Sequence, residues 1–448
     1  MTPIEARYAN RNVPRYTSYP TAPHFSAQVD AQTYAGWLAE LPERPVSLYL
    51  HVPFCREICH YCGCNTKASR RDGPIAAYGE TLAAEIRLVR ALIGAPRKVS
   101  HIHWGGGTPS LMPRTSFLRI VETVSQGFEI APDCEHAIEL DPRTVTRALA
   151  DTLALAGITR TSLGVQDFDP TVQEAIGRIQ PWETVAAAVD ALKGVGLDAM
   201  NFDLMYGLPR QSEASIRRTA QRALELAPSR IALFGYAHVP WFKKNQTLIS
   251  EADLPDASAR RMLAEAARDE ITAAGYVPIG LDHFARRDDT MAIALADGTL
   301  HRNFQGYTTD SADMLIGFGA SSIGRLPQGY VQNAPDVAGW QRAVDAGRAP
   351  IVRGVALDAD DRARADIIEA LMTNYEVDVE VIAQRHAVGL DTLADGFERL
   401  GELVGDGLVE IDGWRVTVTE TGQPFVRVAA AAFDSYLAAG QARHSVAI

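Results

Sequence analysis

Six short apolar runs, at residues 46–52, 99–104, 136–140, 161–165, 200–205 and 230–236, alternate with amphipathic segments at 78–93, 116–128, 145–156, 184–195 and 215–226. Runs this short read as strands, and the longer segments carry apolar residues at helical spacing. A chain that alternates strand and helix in this way predicts parallel strands joined by right-handed crossovers. The fold class expected is therefore α/β, a barrel, with an open doubly wound sheet as the competing topology. In such barrels the chemistry sits at the C-terminal ends of the strands. Here the unusual residues gather in the turns that follow the runs.

The flanks read differently. Residues 1–45 form an arm with turn residues and aromatics, including Pro14-Arg15-Tyr16-Thr17-Ser18-Tyr19-Pro20. X-Pro steps keep such a segment extended, suited to lying over a surface. After a helix at 256–275 and a seventh strand at 277–281, residues 282–330 look irregular and rich in Gly, Asp, His and aromatics, as loops lining a site are. The expected division is an arm at 1–45, a barrel with site-lining loops at 46–345, and a smaller, mostly helical, winged-helix-like region at 346–448, the break falling near Gly347-Arg348-Ala349-Pro350. In that last region helices are expected at 358–375, 379–386, 390–400 and 426–437, with a hairpin turning at Asp412-Gly413. Its third helix carries Asp391, Asp395 and Glu398, and the whole chain has a formal net charge of −12. Both oppose nucleic-acid binding. No apolar stretch of about 18 residues predicts a membrane span, and no leader is read at the N-terminus, so a cytoplasmic protein is expected.

Five cysteines occur, and four lie between Cys55 and Cys64, directly after the first strand. Structural zinc usually draws on two distant cysteine pairs. Cys55, Cys59 and Cys62 instead crowd onto one loop, spaced x3 then x2, so that they can hold three irons of a four-iron cluster and leave the fourth open to a small molecule. Cys64 lies too close to Cys62 to reach a separate iron easily and reads as a nearby free thiol, with a fourth-ligand role as the alternative. Cys134 reads as a core thiol.

Other polar residues end the remaining strands. Trp104-Gly105-Gly106-Gly107-Thr108-Pro109 follows the second, and its glycines allow close approach to the backbone with N–H groups pointing outward. Glu139 and Asp141 end the third; Glu139 is assigned to the site, while Asp141 is either a site residue or a helix cap. Gln166 and Asp167 end the fourth and Asp203 the fifth, and three such residues in equivalent places suggest a lined cavity. His51, His103, His238 and His283 read as hydrogen-bonded strand residues rather than metal ligands.

The Cys-x3-Cys-x2-Cys spacing with Tyr61 before the last Cys resembles the radical S-adenosylmethionine superfamily. A more specific resemblance comes from residues 14–20, from Tyr49-Leu50-His51-Val52-Pro53-Phe54 running into Cys55, from 103–109, 164–168 and 203–209, from Tyr236-Ala237-His238, Asp282-His283-Phe284-Ala285-Arg286, and His301-Arg302-Asn303-Phe304-Gln305-Gly306-Tyr307. Together these resemble the oxygen-independent coproporphyrinogen III oxidases, over nearly the whole chain. The resemblance implies a partial (β/α)6 TIM-like barrel of six strands, with an N-terminal arm and a mostly helical C-terminal domain. It implies a [4Fe-4S] cluster on Cys55, Cys59 and Cys62. It further implies two S-adenosylmethionine molecules, one meeting Tyr49, Gly106, Glu139 and Ile323, the other Tyr61, Gly107, Thr108, Gln166, Arg178, Asp203 and Ala237. Tyr49, Glu139 and Cys64 are the residues expected at the reacting centre. Related haem chaperones usually carry Phe at the Cys64 position and lack the arm motif, so a chaperone is the less favoured alternative, as is a radical methyltransferase or haem-degrading relative.

The reaction implied is oxidative decarboxylation of two propionates of coproporphyrinogen III to vinyls, giving protoporphyrinogen IX in haem biosynthesis. A propionate β-carbon has no acidic proton, which excludes general-base chemistry; a 5′-deoxyadenosyl radical can take its hydrogen atom. The substrate radical then loses carbon dioxide and one electron. Arg15, Arg286 and Arg302 are expected at the barrel mouth, with Arg15 and Arg302 holding propionates, since guanidinium matches carboxylate bidentately. The other partners expected are a flavodoxin-like electron donor and a separate electron acceptor, acting on a monomer.

Overall fold

The computed structural model describes Ile4, Arg7, Tyr8 and residues 11–437. Its centre is a twelve-stranded sheet. In chain order the strands are β1 Val46–Val52, β2 Lys98–Gly106, β3 Glu129–Leu140, β4 Arg160–Gln166, β5 Met200–Tyr206, β6 Arg230–Gly235, β7 Val277–Ile279, β8 His283–Ala285, β9 Leu315–Phe318, β10 Ile323–Leu326, β11 Gly329–Asn333 and β12 Ile351–Ala356. Strands β1 to β6 are neighbours in sequence order and all parallel. The sheet is extended beyond β6 by β8 and then β7, both antiparallel, and beyond β1 by β9, β10, β11 and β12.

The crossovers are the helices α1 Asp72–Ile93, α2 Arg114–Gly127, α3 Arg147–Leu155, α4 Trp182–Lys193 and α5 Glu213–Glu225, followed by α6 Ala257–Ala273. Their starts are fixed locally: Thr146 accepts from the Leu149 N–H, and Ser212 and Ser215 form a capping box. Strand faces follow the period of two. On β5, Met200, Phe202 and Leu204 are buried beneath the helices, while Asn201 and Asp203 turn to the other face. Strand β1 is buried along its whole length. That matches its run of Val, Leu and Tyr at the centre of the sheet.

The first apolar cluster joins these strands and helices. A second unites Tyr8, Val13, Tyr16 and Tyr19 of the arm with the C-terminal region, through Ile367, Leu371, Leu400, Val416, Phe425 and Phe433. The C-terminal region comprises helices Ala359–Asn374, Val379–His386 and Leu390–Gly405, and a three-stranded sheet whose hairpin joins Val409–Asp412 to Arg415–Val418.

The structure corrects four expectations. The strand at 277–281 does not extend the parallel series: β7 pairs antiparallel with β8 at the far edge, and the seventh parallel strand is β9, beside β1. Residues 282–330 are not loops alone but contain β8, β9, β10 and the hairpin His301–Asn303/Gly306–Thr308. The main sheet continues past residue 345, since β12 pairs with β11 and its Gly354 bridges to Ser26 of the arm. The last helix spans Val426–Ala431, shorter than 426–437. Strands of three to five residues show too little period to be distinguished from loops.

Candidate active site

The thiol loop leaves β1 at its C-terminal end. Cys59 is buried, Cys55 and Cys62 are half-buried and Cys64 is exposed. Side-chain donors meet the sulfurs: Thr108 Oγ1 lies 3.6 Å from Cys55 Sγ, and Arg178 Nη1 lies 3.5 Å from Cys59 Sγ. Burial pushes the Cys55 thiol up to about 11, whereas the Cys64 hydrogen bond brings Cys62 down to about 6.

The loop is gripped from a distance. Asn245 Nδ2 donates to the carbonyls of Cys59 (3.1 Å), His60 (3.0 Å) and Cys62 (2.9 Å). Gln246 Nε2 donates to the Tyr61 carbonyl at 2.9 Å and the Ala237 carbonyl at 3.2 Å, and Lys243 Nζ reaches the Cys64 carbonyl at 2.9 Å. These bonds fix the backbone of the loop that carries the thiols. Sequence reasoning missed this segment, since neither spacing nor composition links residues 243–246 to a loop so far away in the chain.

Beside the loop, a cavity of about 300 Å³ enters the barrel and is lined by Tyr49, His103, Glu139, Asp203 and Phe304. The Tyr49 hydroxyl donates to His51 Nδ1 (3.0 Å), and His51 Nε2 donates to the Asn65 carbonyl (3.1 Å). Burial favours the neutral imidazole that this arrangement requires. Tyr49 also stacks on His103 and meets Phe304 edge-on at 4.8 Å. Glu139 accepts from the Gly106 N–H at 3.1 Å and from His103 Nε2 at 3.3 Å. Asp203 accepts from Asn201 Nδ2 (2.8 Å) and Ser162 Oγ (3.1 Å). Burial, and then the Glu139 charge, push its carboxyl up to about 6.

The glycine turn is sterically obligatory. A Cβ on Gly106, at φ +113°, would lie 2.6 Å from the His51 ring, and one on Gly107 would lie 2.5 Å from the Phe54 carbonyl oxygen. Its N–H groups do not point outward as expected. Gly107 donates to Val52 and Thr108 to Phe54, which stitches the turn to the strand that carries the cysteines.

Several candidates behave differently from their sequence reading. Asp141 caps a short turn and is held by Arg143 at 2.7 Å and Arg178 at 3.2 Å, so it positions Arg178. Asp167 turns away into the core, bound by Gln211 (2.6 Å) and Thr219 (2.9 Å). Arg286 follows the antiparallel β8 and so lies at the N-terminal end of β6, where its N–H reaches the Ser229 carbonyl; it is not at the mouth. Thr108 and Arg178 direct their side chains at sulfurs. Gln166 ends β4 in the left-handed conformation, φ +66°. Ile323 opens β10, and Ala237 follows β6. Arg15 and Arg302 do meet: Arg302 Nη2 donates to the Arg15 carbonyl (3.3 Å), and Arg15 Nη2 to the Gly235 carbonyl at the end of β6 (3.1 Å).

A parallel barrel with a three-cysteine loop at the end of its first strand defines a class, and residues 49–223 match the Radical SAM superfamily, while 357–425 match the HemN C-terminal domain. The chain is 51% identical over 446 residues to an oxygen-independent coproporphyrinogen III oxidase of Bradyrhizobium diazoefficiens, covering 99% of each chain. It is 43% identical to one of Paracoccus denitrificans, covering 97% of this chain and 96% of that protein. The solved coproporphyrinogen III oxidase of Escherichia coli superposes with a TM-score of 0.90 at 38% identity, over 94% of this chain and 97% of that one. The chain belongs to the oxygen-independent coproporphyrinogen III oxidase family, whose members are radical S-adenosylmethionine enzymes that use a [4Fe-4S] cluster. Among the described residues no helix is long and apolar enough to cross a membrane.

Proposed function

We propose that this chain oxidatively decarboxylates two propionates of coproporphyrinogen III to vinyls, giving protoporphyrinogen IX without molecular oxygen. One observation carries the reading: a member of this family that matches its relative over 99% of each chain presents Cys55, Cys59 and Cys62 on one clamped loop beside the Tyr49–Glu139–Asp203 cavity. Those residues fit a cluster held at three corners, with donors from Thr108 and Arg178 on two of the sulfurs. When bound, the cluster and S-adenosylmethionine supply one-electron cleavage of a sulfonium and a carbon radical able to take hydrogen from unactivated carbon.

The residues divide the work. Cys55, Cys59 and Cys62 hold the cluster. Tyr49, Gly106, Glu139 and Ile323 meet the S-adenosylmethionine on it, with Glu139 oriented by His103 to accept an amine or hydroxyl. A second molecule meets Tyr61, Gly107, Thr108, Gln166, Arg178, Asp203 and Ala237. Cys64 stays outside the ligand set, near Glu139 and Tyr49. Arg15 and Arg302 hold propionates. Asp203, with its pKa raised to about 6, passes from neutral to charged near neutrality, so binding of a hydroxyl-bearing ligand there strengthens as pH rises through that value. The enzyme works as a monomer in the cytoplasm, with a flavodoxin-like donor delivering electrons and a separate acceptor removing them.

The deciding experiment reconstitutes the cluster without oxygen, adds S-adenosylmethionine, a chemical reductant, an electron acceptor and coproporphyrinogen III, and follows two products. Divinyl product and 5′-deoxyadenosine forming together support the reading. Stoichiometric haem binding with neither product overturns it.

A further inference from the structure

A second cavity, of about 600 Å³, lies on the other side of the sheet. Leu233 of β6 and Phe284 of β8 line it, whereas their neighbours Phe234 and His283 line the barrel cavity. Alternate residues of a strand face opposite ways, so the two cavities lie back to back. Tyr206 and Gly235 bring the second one to the barrel mouth.

Its walls are rich in arginine. Arg15 comes from the arm, Arg260 and Arg268 from α6, Arg302 from the 301–308 hairpin and Arg427 from the C-terminal region. The carboxylates on the wall are Asp282 and Glu265, and both have partners: Asp282 binds His283 at 2.7 Å and Glu265 binds Arg261 at 2.6 Å. Among the described residues no carboxylate lies within ion-pair distance of the side chains of Arg15, Arg260, Arg268 or Arg302.

Their contacts are with neutral groups: Arg260 and Arg302 lie over the Tyr206 and Tyr307 rings at 5.8 Å and 4.5 Å. Arg260 Nη1 reaches the Tyr236 carbonyl at 2.7 Å. Arg260 Nε, Arg302 Nε and Arg302 Nη1 are buried without a hydrogen-bond partner. An unsatisfied buried donor is costly, a charged one most of all, so such a cluster is expected where a ligand supplies the missing acceptors. The charges feel one another: burial, then Arg15 and Arg302, bring Arg427 down to about 10. Asp282 goes the other way. Burial opposes its ionisation, but His283, Arg302 and Arg15 together hold the carboxyl near about 2.

Arg260, Ala264 and Arg268 stand four residues apart on one face of α6 and all line the cavity. Eight residues of helix put the two arginines about 12 Å apart. Arginines spaced so far apart suit a ligand with carboxylates on separate arms. We propose that this cavity anchors the propionates of the tetrapyrrole that are not being oxidised, with Arg260 and Arg268 joining Arg15 and Arg302 in recognising a polycarboxylate. The assignment rests on the substrate proposed above.

The test uses the anaerobically reconstituted full chain and the fluorescent oxidised ligand coproporphyrin III, a tetracarboxylate, beside protoporphyrin IX, a dicarboxylate. Arg268 is exposed, so Arg268→Ala leaves the fold intact. Arg260→Lys keeps charge and bulk while losing the fork. Each is expected to weaken coproporphyrin III binding at least tenfold, to weaken protoporphyrin IX, which keeps the two unoxidised propionates, in the same direction, to raise KM more than it lowers kcat, and to release mono-vinyl tricarboxylate before the second decarboxylation. Unchanged coproporphyrin III binding and KM in both variants, in an enzyme whose wild type makes divinyl product, overturns the cavity assignment and leaves the reaction standing. Wild-type enzyme that makes no vinyl product but loses coproporphyrin III binding on Arg268→Ala overturns the reaction and leaves the anion site.

Discussion

Glu85 lies on α1 with its carboxylate sealed in the core. Gly319 N–H (2.7 Å) and Trp340 Nε1 (2.9 Å) donate to one oxygen, and Asn333 Nδ2 (2.6 Å) to the other. Burial still outweighs the three bonds and raises the carboxyl from 4.5 to about 7. The folded state therefore keeps a proton that the unfolded chain releases. The stability from this group is full below about pH 4.5 and is lost as pH rises through about 7. At 1.36 kcal/mol per pKa unit the span is about 3 kcal/mol. Unfolding free energies of wild type and Glu85→Gln, measured from pH 5 to 8, should converge toward the acid end, with wild type falling behind as pH rises. Parallel curves would sink this account. Nothing in the sequence around Glu85 marks it as buried among donors, because Gly319, Asn333 and Trp340 arrive from more than two hundred residues away.

At the scale of the element, the βα rhythm was legible because the crossover strands carry short apolar runs, fully buried in β1 and alternating in β4 and β5. Polar residues that break the pattern, such as Glu139 and Asp203, could be assigned to the strand ends for the same reason. Asp167 shows the limit. It shares its place with Gln166, but the left-handed turn at Gln166 sends the following side chain into the core. The Asn245 grip on the thiol loop was invisible, since an isolated Asn in an irregular stretch carries no signal. Asn245→Ala should lower the iron bound after anaerobic reconstitution and broaden the electron paramagnetic resonance of the reduced cluster. Asn245→Asp should not restore either, because a carboxylate has no N–H to offer three carbonyls. The melting temperature of the apoprotein should move by only about 2 °C, as expected for a loop contact outside the core. Normal iron content and an unchanged spectrum in both variants would remove the grip from any role in the site.

The whole molecule depends on the arm closing against the C-terminal region. The Tyr16 hydroxyl donates to Asp434 at 2.9 Å, and Arg427 Nε to the Pro14 carbonyl at 3.0 Å. These contacts hold Arg15 over the cavity shared with Arg302. Tyr16→Phe leaves a buried carboxylate oxygen short of a donor, at a cost of about 1–3 kcal/mol. It should speed proteolytic cutting within residues 11–20 and raise the KM for the tetrapyrrole, while cluster content stays at the wild-type level. Resistance to protease equal to wild type would show that the arm is held by its aromatic packing alone.

The sequence by itself determined the parallel strand series, the thiol loop after the first strand, and the family, because each depends on short-range spacing or on strings of adjacent residues. Only the tertiary structure decided what lies beside them. The antiparallel return of β8 took Arg286 away from the mouth, the 301–308 hairpin brought Arg302 to Arg15, and α6 added Arg260 and Arg268 to the same wall. Such groupings arise from chain segments hundreds of residues apart that meet only after strand order and direction are set, so no local pattern encodes them.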